Sequence, residues 1–323
     1  MKTLPGYWYG KPYYSLDAYC KTTYHEKLYK IALDAGLTCP NRDGRIGSRG
    51  CIFCSAGGSG DFAVALSTAA ATDISKQLQQ GIQLFHEKKT GEHFIAYFQA
   101  YTNTYGPVSY LEQIYAQALN TPEVAGISIA TRPDCLDAPV LSLLSKLQHQ
   151  YPDKFIWVEL GLQSIHEKTA RYIRRGYPLP VFEDALSALH DLSIPVIVHL
   201  ILGLPNENRE MILQSVSYLN SLPVWGVKLQ LLHVLKGTDL AVEYSKHTFD
   251  VFTIEEYIPL LAECICSLRP DIVIHRLTGD GPRDLLIAPL WSLQKRNVLN
   301  QFHKYMKETN SYQGKKIICQ NHR

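Results

Sequence analysis

Short apolar runs alternate with longer segments of helical spacing along most of this chain. The apolar runs have the length of β-strands and fall at 28–33, 93–99, 126–131, 155–161, 195–202, 226–233 and 271–276. The segments between them have the apolar spacing of helices and fall at 72–89, 108–119, 137–150, 180–191, 207–220 and 254–267. Each run alone is a weak signal. The repeated alternation predicts parallel strands joined by crossover helices.

The predicted fold class is α/β, a partial (β/α)6 TIM-like barrel of parallel strands with N- and C-terminal extensions. Segment 1–27 is rich in Tyr and predicts an aromatic extension ahead of the main domain. One core domain is predicted over 28–284. Segment 285–308 is interpreted as a closing helix within a C-terminal helix and basic tail, 285–323. In barrels of this kind the functional residues gather at the C-terminal ends of the strands.

Polar residues interrupt several of the predicted strands, where buried parallel strands are normally apolar. Examples are Gln99, Glu159, His199, Gln230 and His275. A single such residue is usually a core group whose hydrogen bonds are satisfied. The same feature in five strands predicts a polar cavity at one end of the sheet.

Composition is that of an ordinary globular chain, with 46% hydrophobic and 19% charged residues and a net charge of +2. The charge is uneven, since 291–323 holds seven Lys/Arg against one acid and 1–54 holds eight against four. Such basic ends suit phosphate contacts, and they suit solvated helix faces equally well. The N-terminus has no signal peptide pattern, and no apolar run approaches the ~20 residues of a membrane span. A cytoplasmic protein without membrane contact is expected, and the pattern does not bear on its oligomeric state.

Three cysteines, Cys39, Cys51 and Cys54, are the strongest chemical signal of the chain. Eleven residues separate the first two, and two residues separate the last two. Clustered cysteines in a cytoplasmic chain indicate metal binding or catalysis. A structural zinc site and an ordinary [4Fe–4S] cluster both take four protein ligands. Three thiolates on a cubane cluster leave one iron open to a substrate or cofactor.

The cysteine spacing, with aromatic Phe53 before the last cysteine, resembles the cluster loop of radical S-adenosylmethionine (SAM) enzymes. Three residues commonly separate the first two cysteines in that superfamily, and the longer gap here resembles the branch that contains the catalytic subunit of Elongator. Four further segments resemble that branch: 97–105, 129–134, 159–164 and 199–205. The chain looks most like a compact bacterial family of stand-alone proteins, some of which are implicated in modifying the wobble uridine of tRNA.

This resemblance implies a [4Fe–4S] cluster bound by Cys39, Cys51 and Cys54, with SAM on the fourth iron. An electron from a flavodoxin- or ferredoxin-type donor would break the S–C5′ bond of SAM. The resulting 5′-deoxyadenosyl radical would abstract hydrogen from the substrate, which the resemblance implies is a tRNA base.

The resemblance also implies a set of residues that contact SAM. The segment with Gln99, Tyr101, Thr102 and Asn103 takes the place of the motif that contacts the SAM amino group, through backbone more than through any one side chain. Further contacts are implied for the ribose, the methionine carboxylate and the adenine: Glu159 and Gln163 for ribose, Arg174 or Arg175 for carboxylate, His199 near ribose, and Gly203 and Leu204 for adenine. A purely structural carboxylate is the alternative for Glu159, and a plain surface position is the alternative for Arg175.

Three functions therefore stay open at the level of the sequence. The first is a radical SAM enzyme acting on a tRNA base. The second keeps the radical chemistry on a small molecule, as in porphyrinogen-oxidising relatives. The third is a non-catalytic iron–sulfur electron carrier or a zinc module, and the zinc interpretation requires a fourth ligand that the cysteine run does not contain.

Overall fold

Residues 8–58, 60, 73–87, 91–279 and 281–320 are described by the structure, a computed structural model, with the backbone alone for 318–320. The chain forms two compact units. The cysteine unit consists of Cys20–Gly161 and Gly176–Val196. The C-terminal unit consists of Met1–Tyr19, Leu162–Arg175 and Ile197–Arg323.

Nine strands are present in the described part of the chain. They are β1 Tyr29–Leu33, β2 Phe94–Phe98, β3 Val124–Thr131, β4 Phe155–Gln163, β5 Val196–Leu202, β6 Gly226–Leu231, β7 Val234–Leu235, β8 Val273–Arg276 and β9 Leu286–Ala288. Seven of them form a sheet in the order β1-β2-β3-β4-β5-β6-β8. In the cysteine unit β1, β2, β3 and β4 pair in parallel, and in the C-terminal unit β5, β6 and β8 do so. The predicted α/β class of parallel strands is confirmed.

Eleven helices are present in the same described residues. They are α1 Leu16–Thr23, α2 Ile74–Glu87, α3 Val108–Leu119, α4 Ala138–Gln150, α5 Glu167–Tyr172, α6 Leu179–Asp191, α7 Arg209–Tyr218, α8 Asp239–Ser245, α9 Ile254–Ser267, α10 Lys295–Glu308 and α11 Lys315–Gln320. The six predicted crossover helices correspond to α2, α3, α4, α6, α7 and α9. Positions 72, 88 and 89 of the first prediction lie outside the described residues. Side-chain caps fix several starts, and Thr253 with Glu256 forms a reciprocal capping box on α9.

The ends of three strands in the cysteine unit lie side by side. Leu33 pairs with Phe98 across β1 and β2, and Phe98 pairs with Ile129 across β2 and β3. Because these strands are parallel, the segments that follow them begin at the same edge of the sheet. Those segments are the loop that carries Cys39, Cys51 and Cys54, named here the cysteine loop, the 99–104 segment and the turn at 132–135. The residues of the candidate site in this unit therefore lie at this edge of the sheet.

The single closing helix predicted over 285–308 is wrong in its first ten residues. Leu286–Ala288 is β9, which pairs antiparallel with β7 through Leu235 and Val234. Pro289 has no backbone N–H to continue an interior helix, and a short 3-10 turn follows it. The α-helix α10 begins only at Lys295. The domain boundaries predicted from the sequence stay predictions.

Aromatic side chains of the predicted N-terminal extension pack within their own units. The rings of Trp8 and Tyr14 stack at 5.6 Å, and the Tyr19 ring meets Trp225 edge-on at 4.9 Å. The hydroxyl of the buried Tyr13 lies 3.1 Å from Nε2 of His303. These rings therefore stabilise the fold.

None of the helices in the described ranges has the length and apolarity to cross a membrane. The cytoplasmic location stays a prediction.

Candidate active site

The cysteine loop leaves β1 and carries three half-buried cysteines that form no disulfide, Cys39, Cys51 and Cys54. The backbone N–H of Cys54 donates to the carbonyl of Cys51 at 3.0 Å, which closes a tight turn. The side-chain amide of Asn41 donates to the sulfur of Cys51 at 3.5 Å. Asn41 is itself buried, so its amide is held in place against that sulfur.

The three thiols lie within electrostatic range of one another. Burial, together with neighbouring Cys54 and Cys39, raises the pKa of the Cys51 thiol to about 12. The positive charge of Arg132 and the hydrogen bond from Asn41 act in the opposite direction. Cys51 is therefore a neutral thiol at pH 7, and a metal would have to displace its proton.

In the part of the chain that the structure describes, no three His, Cys, Asp or Glu side chains already surround a common point as metal ligands do. The chemistry of the donor set nevertheless fits an iron–sulfur cluster. Soft thiolates are the usual ligands of such clusters, and a cation and an amide donor beside them suit the negative charge that thiolates bring.

Arg132 is a site residue to which the sequence analysis assigned no function. It follows β3 and is 8% exposed, and its guanidinium donates to both carboxylate oxygens of Asp134 at 2.9 and 2.8 Å. The same group lies 5.0 Å from the centre of the Tyr177 ring. Its charge interacts with Cys39 and Cys51, more than 75 positions away in the chain. The signal in the sequence is segment 129–134, which resembles the Elongator-containing branch but does not by itself indicate a role for this arginine.

Tyr101 ties the cysteine loop to the segment after β2. Its backbone N–H donates to the carbonyl of Gly58 at 2.8 Å, and its hydroxyl donates to the carbonyl of Ala56 at 2.6 Å. Tyr101 and Gly58 both have positive φ, at 59° and 58°. A Cβ on Gly58 would lie 2.3 Å from the Tyr101 ring, so glycine is required there. Gly58 thus serves the close packing of the cysteine loop against Tyr101.

The rest of the 99–104 segment is fixed by its backbone amides. Four of them donate to carbonyls of neighbouring segments: Gln99 to Leu33 at 3.2 Å, Tyr101 to Gly58 at 2.8 Å, Thr102 to Thr38 at 3.2 Å and Asn103 to Ala130 at 3.1 Å. Thr102 and Asn103 are fully buried. Because an ammonium group donates hydrogen bonds, a contact with the SAM amino group here requires an acceptor. The backbone carbonyls of the segment can accept, and so can Oδ1 of Asn103, which has no hydrogen-bond partner among the described residues.

Glu159 lies in the middle of β4 and is completely buried. Its Oε1 accepts hydrogen bonds from Lys30 Nζ and from the hydroxyl of Ser128, each at 2.6 Å. These contacts supply the charge and hydrogen-bond partners that a buried carboxylate requires. They support the structural alternative for this residue, and its ribose contact stays a prediction.

Other predicted SAM contacts lie in the C-terminal unit. Gln163 ends β4 with φ 64°, and its buried Oε1 has no hydrogen-bond partner among the described residues. His199 is half-buried on β5, with Nδ1 3.3 Å from the amide nitrogen of Gln230. Gly203 has φ 92° beyond the end of β5, and Leu204 after it is buried. The orphaned acceptor of Gln163 matches a ribose hydroxyl, which donates.

The two candidate arginines have different environments. Arg174 is partly exposed and forms an ion pair with Asp239. Arg175 is 2% exposed, and its guanidinium donates to the carbonyl of Ser164 at 2.7 Å and to Glu167 at 3.1 Å. A carboxylate contact stays a prediction for both, and the buried contacts of Arg175 serve the turn after β4.

Comparison with protein families identifies the class of protein. The model of the Radical SAM superfamily matches residues 42–219, more than half of the chain, and that of the Radical SAM C-terminal domain matches 224–308. The chain therefore belongs to the radical SAM superfamily and is an enzyme of that class. Membership implies a [4Fe–4S] cluster and SAM.

Individual relatives place the chain near the Elongator branch. Protein YtqA of Bacillus subtilis is 40% identical over 305 residues, which is 94% of this chain and 92% of that protein. Elongator complex protein 3 of Bos taurus is 24% identical over 188 residues, 57% of this chain and 32% of that protein.

A solved structure shows the same fold. The archaeal Methanocaldococcus infernus Elp3 with an N-terminal deletion matches with a TM-score of 0.66 at 17% identity, over 88% of this chain and 64% of that chain. The predicted resemblance to the Elongator-like branch is confirmed by these relatives together.

Proposed function

We propose that Cys39, Cys51 and Cys54 hold the cluster implied by the family, and that the chain modifies a tRNA base at the side chain of the wobble uridine. When bound, the cluster and SAM would supply a 5′-deoxyadenosyl radical by reductive cleavage of the S–C5′ bond. The tasks left to the protein are to hold these groups, to set the charge around them and to exclude water.

The observation that carries the proposal is that one loop at one sheet edge holds three cysteine thiols within electrostatic range of one another. Burial and mutual proximity make Cys51 a neutral thiol, and Arg132 and Asn41 face it with a cation and a hydrogen-bond donor. Both groups stabilise the thiolate form that metal binding requires. A purely structural cysteine has no need of a buried arginine beside it.

Each of the two units contributes its own residues to the proposed SAM site. In the cysteine unit the carbonyls of the 99–103 segment are the acceptors for the amino group. In the C-terminal unit Gln163 offers an orphaned acceptor for a ribose hydroxyl. His199 stands on the same strand that leads to Gly203 and Leu204, the positions proposed to face adenine.

A tRNA substrate is supported by the resemblance to the Elongator branch and by the charge of α10. Lys304 and Lys307 are exposed on this helix, and Glu308 is its one acidic residue. Such a face suits the phosphates of RNA. A flavodoxin- or ferredoxin-type protein is proposed as the electron donor, in the cytoplasm, where such donors operate.

The radical chemistry is tested by anaerobic reconstitution with iron and sulfide, followed by SAM and dithionite. We expect 5′-deoxyadenosine and methionine from the native chain and none above background from Cys39→Ala. Equal amounts of 5′-deoxyadenosine from both proteins would refute the proposed cluster ligands.

The substrate is tested by mass spectrometry of tRNA nucleosides from a strain that lacks the gene. Loss of one modified uridine, restored by the native gene but not by the Cys51→Ala variant, is the expected result. An unchanged profile of modified uridines would exclude tRNA as the substrate under those growth conditions.

A further inference from the structure

The eleven residues between Cys39 and Cys51 form a folded loop, named here the arginine loop (residues 40–50). The N–H of Ile46 donates to the carbonyl of Pro40 at 2.8 Å, and that of Gly50 donates to Asn41 at 2.7 Å. The loop therefore returns onto its own base. The cluster ligands proposed above, Cys39 and Cys51, directly flank that base.

The outer part of the arginine loop carries a concentrated positive charge. It contains three arginines and one acid, Asp43, and so has a net charge of +2. Arg45 and Arg49 are exposed, and Ile46 beside them is 46% exposed. An exposed apolar side chain with charged neighbours is the pattern of a small protein–protein interface.

Two of these arginines are held in place before any partner arrives. The guanidinium of Arg45 lies 5.5 Å from the centre of the Tyr105 ring. Arg42 donates to the carbonyl of Cys54 at 3.0 Å and also to that of Ser55. Preorganised side chains lose less conformational entropy on binding, so this surface is suited to recognising a partner.

We propose that the exposed face of the arginine loop, with Arg45, Ile46 and Arg49, is the docking surface for a small acidic electron-transfer protein. The inference rests on the proposed function, since it takes Cys39 and Cys51 as cluster ligands. One electron passes from the reduced partner to the cluster, so that the partner is oxidised and the cluster reduced, and no bond forms or breaks at the interface.

Charge and position together favour this partner. Complementary charges steer a transient encounter, and interfaces of electron-transfer complexes are small. The docking surface is joined to the cluster ligands by only a few residues of chain and by the Pro40 and Asn41 hydrogen bonds. RNA is disfavoured as the occupant, because Arg45 lies over one face of the Tyr105 ring and so competes with base stacking on that face.

The test uses the reconstituted full chain and a reduced acidic flavodoxin as the probe, with cluster reduction followed by stopped-flow absorbance. In the variant Arg45→Glu/Arg49→Glu the second-order rate at low salt should fall about tenfold or more. The difference should shrink as salt rises, because the Debye length falls from about 30 Å at 0.01 M to about 8 Å at 0.15 M. The Arg45→Gln/Arg49→Gln variant removes the charge without reversing it, and its rate should lie between those of the native chain and the glutamate variant.

A matched control changes the same amount of charge elsewhere. Lys168 on α5 and Lys246 after α8 are exposed. In Lys168→Glu/Lys246→Glu, flavodoxin should reduce the cluster at the native rate. All variants should retain iron and reach the same final extent of reduction with excess dithionite, which shows that the folded cluster site is intact.

Several results would overturn the docking surface. These are a native rate in the arginine variant at low salt, an equal loss of rate in the lysine control, or failure of every protein to assemble a cluster. Loss of binding to bulk tRNA in a filter assay, with an unchanged flavodoxin rate, would assign the surface to RNA instead. If flavodoxin reduces the native cluster but SAM yields no 5′-deoxyadenosine, the proposed function fails while the docking surface stands.

Discussion

At the scale of single residues, a fixed cation beside the cysteines is the main electrostatic feature of the site. Arg132 is nearly buried and is oriented by its two hydrogen bonds to Asp134 and by the Tyr177 ring. A charge held in this way keeps its position whether or not the cysteines carry a cluster. Because reduction adds negative charge, a nearby cation makes a cluster easier to reduce.

Replacing Arg132 should therefore lower the reduction potential of the reconstituted cluster. For Arg132→Gln we expect a shift on the order of 59 mV, which corresponds to a tenfold change in a one-electron equilibrium. A redox titration followed by electron paramagnetic resonance measures it. Arg132→Lys keeps the charge and should shift the potential less. Potentials that are equal in the native chain and in Arg132→Gln would show that the arginine only stabilises the turn.

Glu159 and Gln163 differ sharply, although the resemblance implies the same contact for both. Glu159→Gln removes a buried charge from Lys30 and should lower the free energy of unfolding by about 2 kcal/mol, less than for a fully buried pair because Lys30 is partly exposed. The affinity for SAM should not change in this variant. Denaturant unfolding and equilibrium binding of SAM to the cluster-loaded chain separate the two effects.

Gln163→Asn is the matched variant for binding. Asparagine tolerates the positive φ of this position but withdraws the side-chain oxygen by one methylene group. The affinity for SAM should fall about fivefold, the equivalent of about 1 kcal/mol for a lost hydrogen bond, with stability nearly unchanged. The reverse pattern, in which Glu159→Gln weakens SAM binding and Gln163→Asn does not, would show that Glu159 makes the ribose contact and Gln163 does not.

At the scale of elements, the site depends on how the cysteine loop is held against the segment after β2. Tyr101 makes two hydrogen bonds to this loop and lies against Gly58. Arg42 adds a hydrogen bond to the carbonyl of Cys54. The loop is thus fixed from both sides of the last cysteine pair, which reduces the conformational entropy lost when metal binds.

Gly58→Ala should loosen this attachment and lower the iron content of the reconstituted chain. The added Cβ would lie 2.3 Å from the Tyr101 ring, so the ring or the loop must move. Gly44→Ala is the control, since Gly44 also has positive φ, 95°, but open space around its Cβ. Iron and sulfide per chain measure the outcome. Equal losses in the two variants would assign the effect to backbone strain and not to the attachment.

At the scale of the whole molecule, the repeated alternation of strand and helix patterns made the fold predictable from the sequence. The site was only partly predictable, because some of its residues lie far apart along the chain. β2 is buried at all five positions and so appears as a continuous apolar run, as parallel strands do. The predicted extent of the closing helix, 285–308, was wrong because β9 pairs with β7, about fifty residues away. The local spacing of apolar residues does not indicate a pairing over that distance. The cysteines were found from spacing alone. Arg132 was not, because it acts on them only through the folded sheet edge.

Two half-buried glutamates of the C-terminal unit, Glu207 and Glu263, should give the stability of the chain opposite dependences on pH. Burial raises the pKa of Glu207, although hydrogen bonds from Ser164 and Thr169 oppose it. Above the ordinary value of about 4.3 the folded state then binds more protons than the unfolded state, so this glutamate lowers the free energy of unfolding as pH rises. Burial also acts to raise the pKa of Glu263, but Lys316 and Arg209 outweigh it and the pKa is lowered.

The contribution of Glu263 is therefore complete above the ordinary value and is lost as pH falls through its lowered pKa. Denaturant unfolding across a pH series tests both glutamates. Above about pH 4.3, Glu207→Gln should have a higher free energy of unfolding than the native chain. Glu263→Gln should have a lower free energy of unfolding than the native chain in the same range, and this difference should disappear in acid. The two differences from the native curve must have opposite signs at neutral pH. If both variants were destabilised at neutral pH, the hydrogen bonds of Glu207 would outweigh its burial, and its pKa would not be raised in the folded chain.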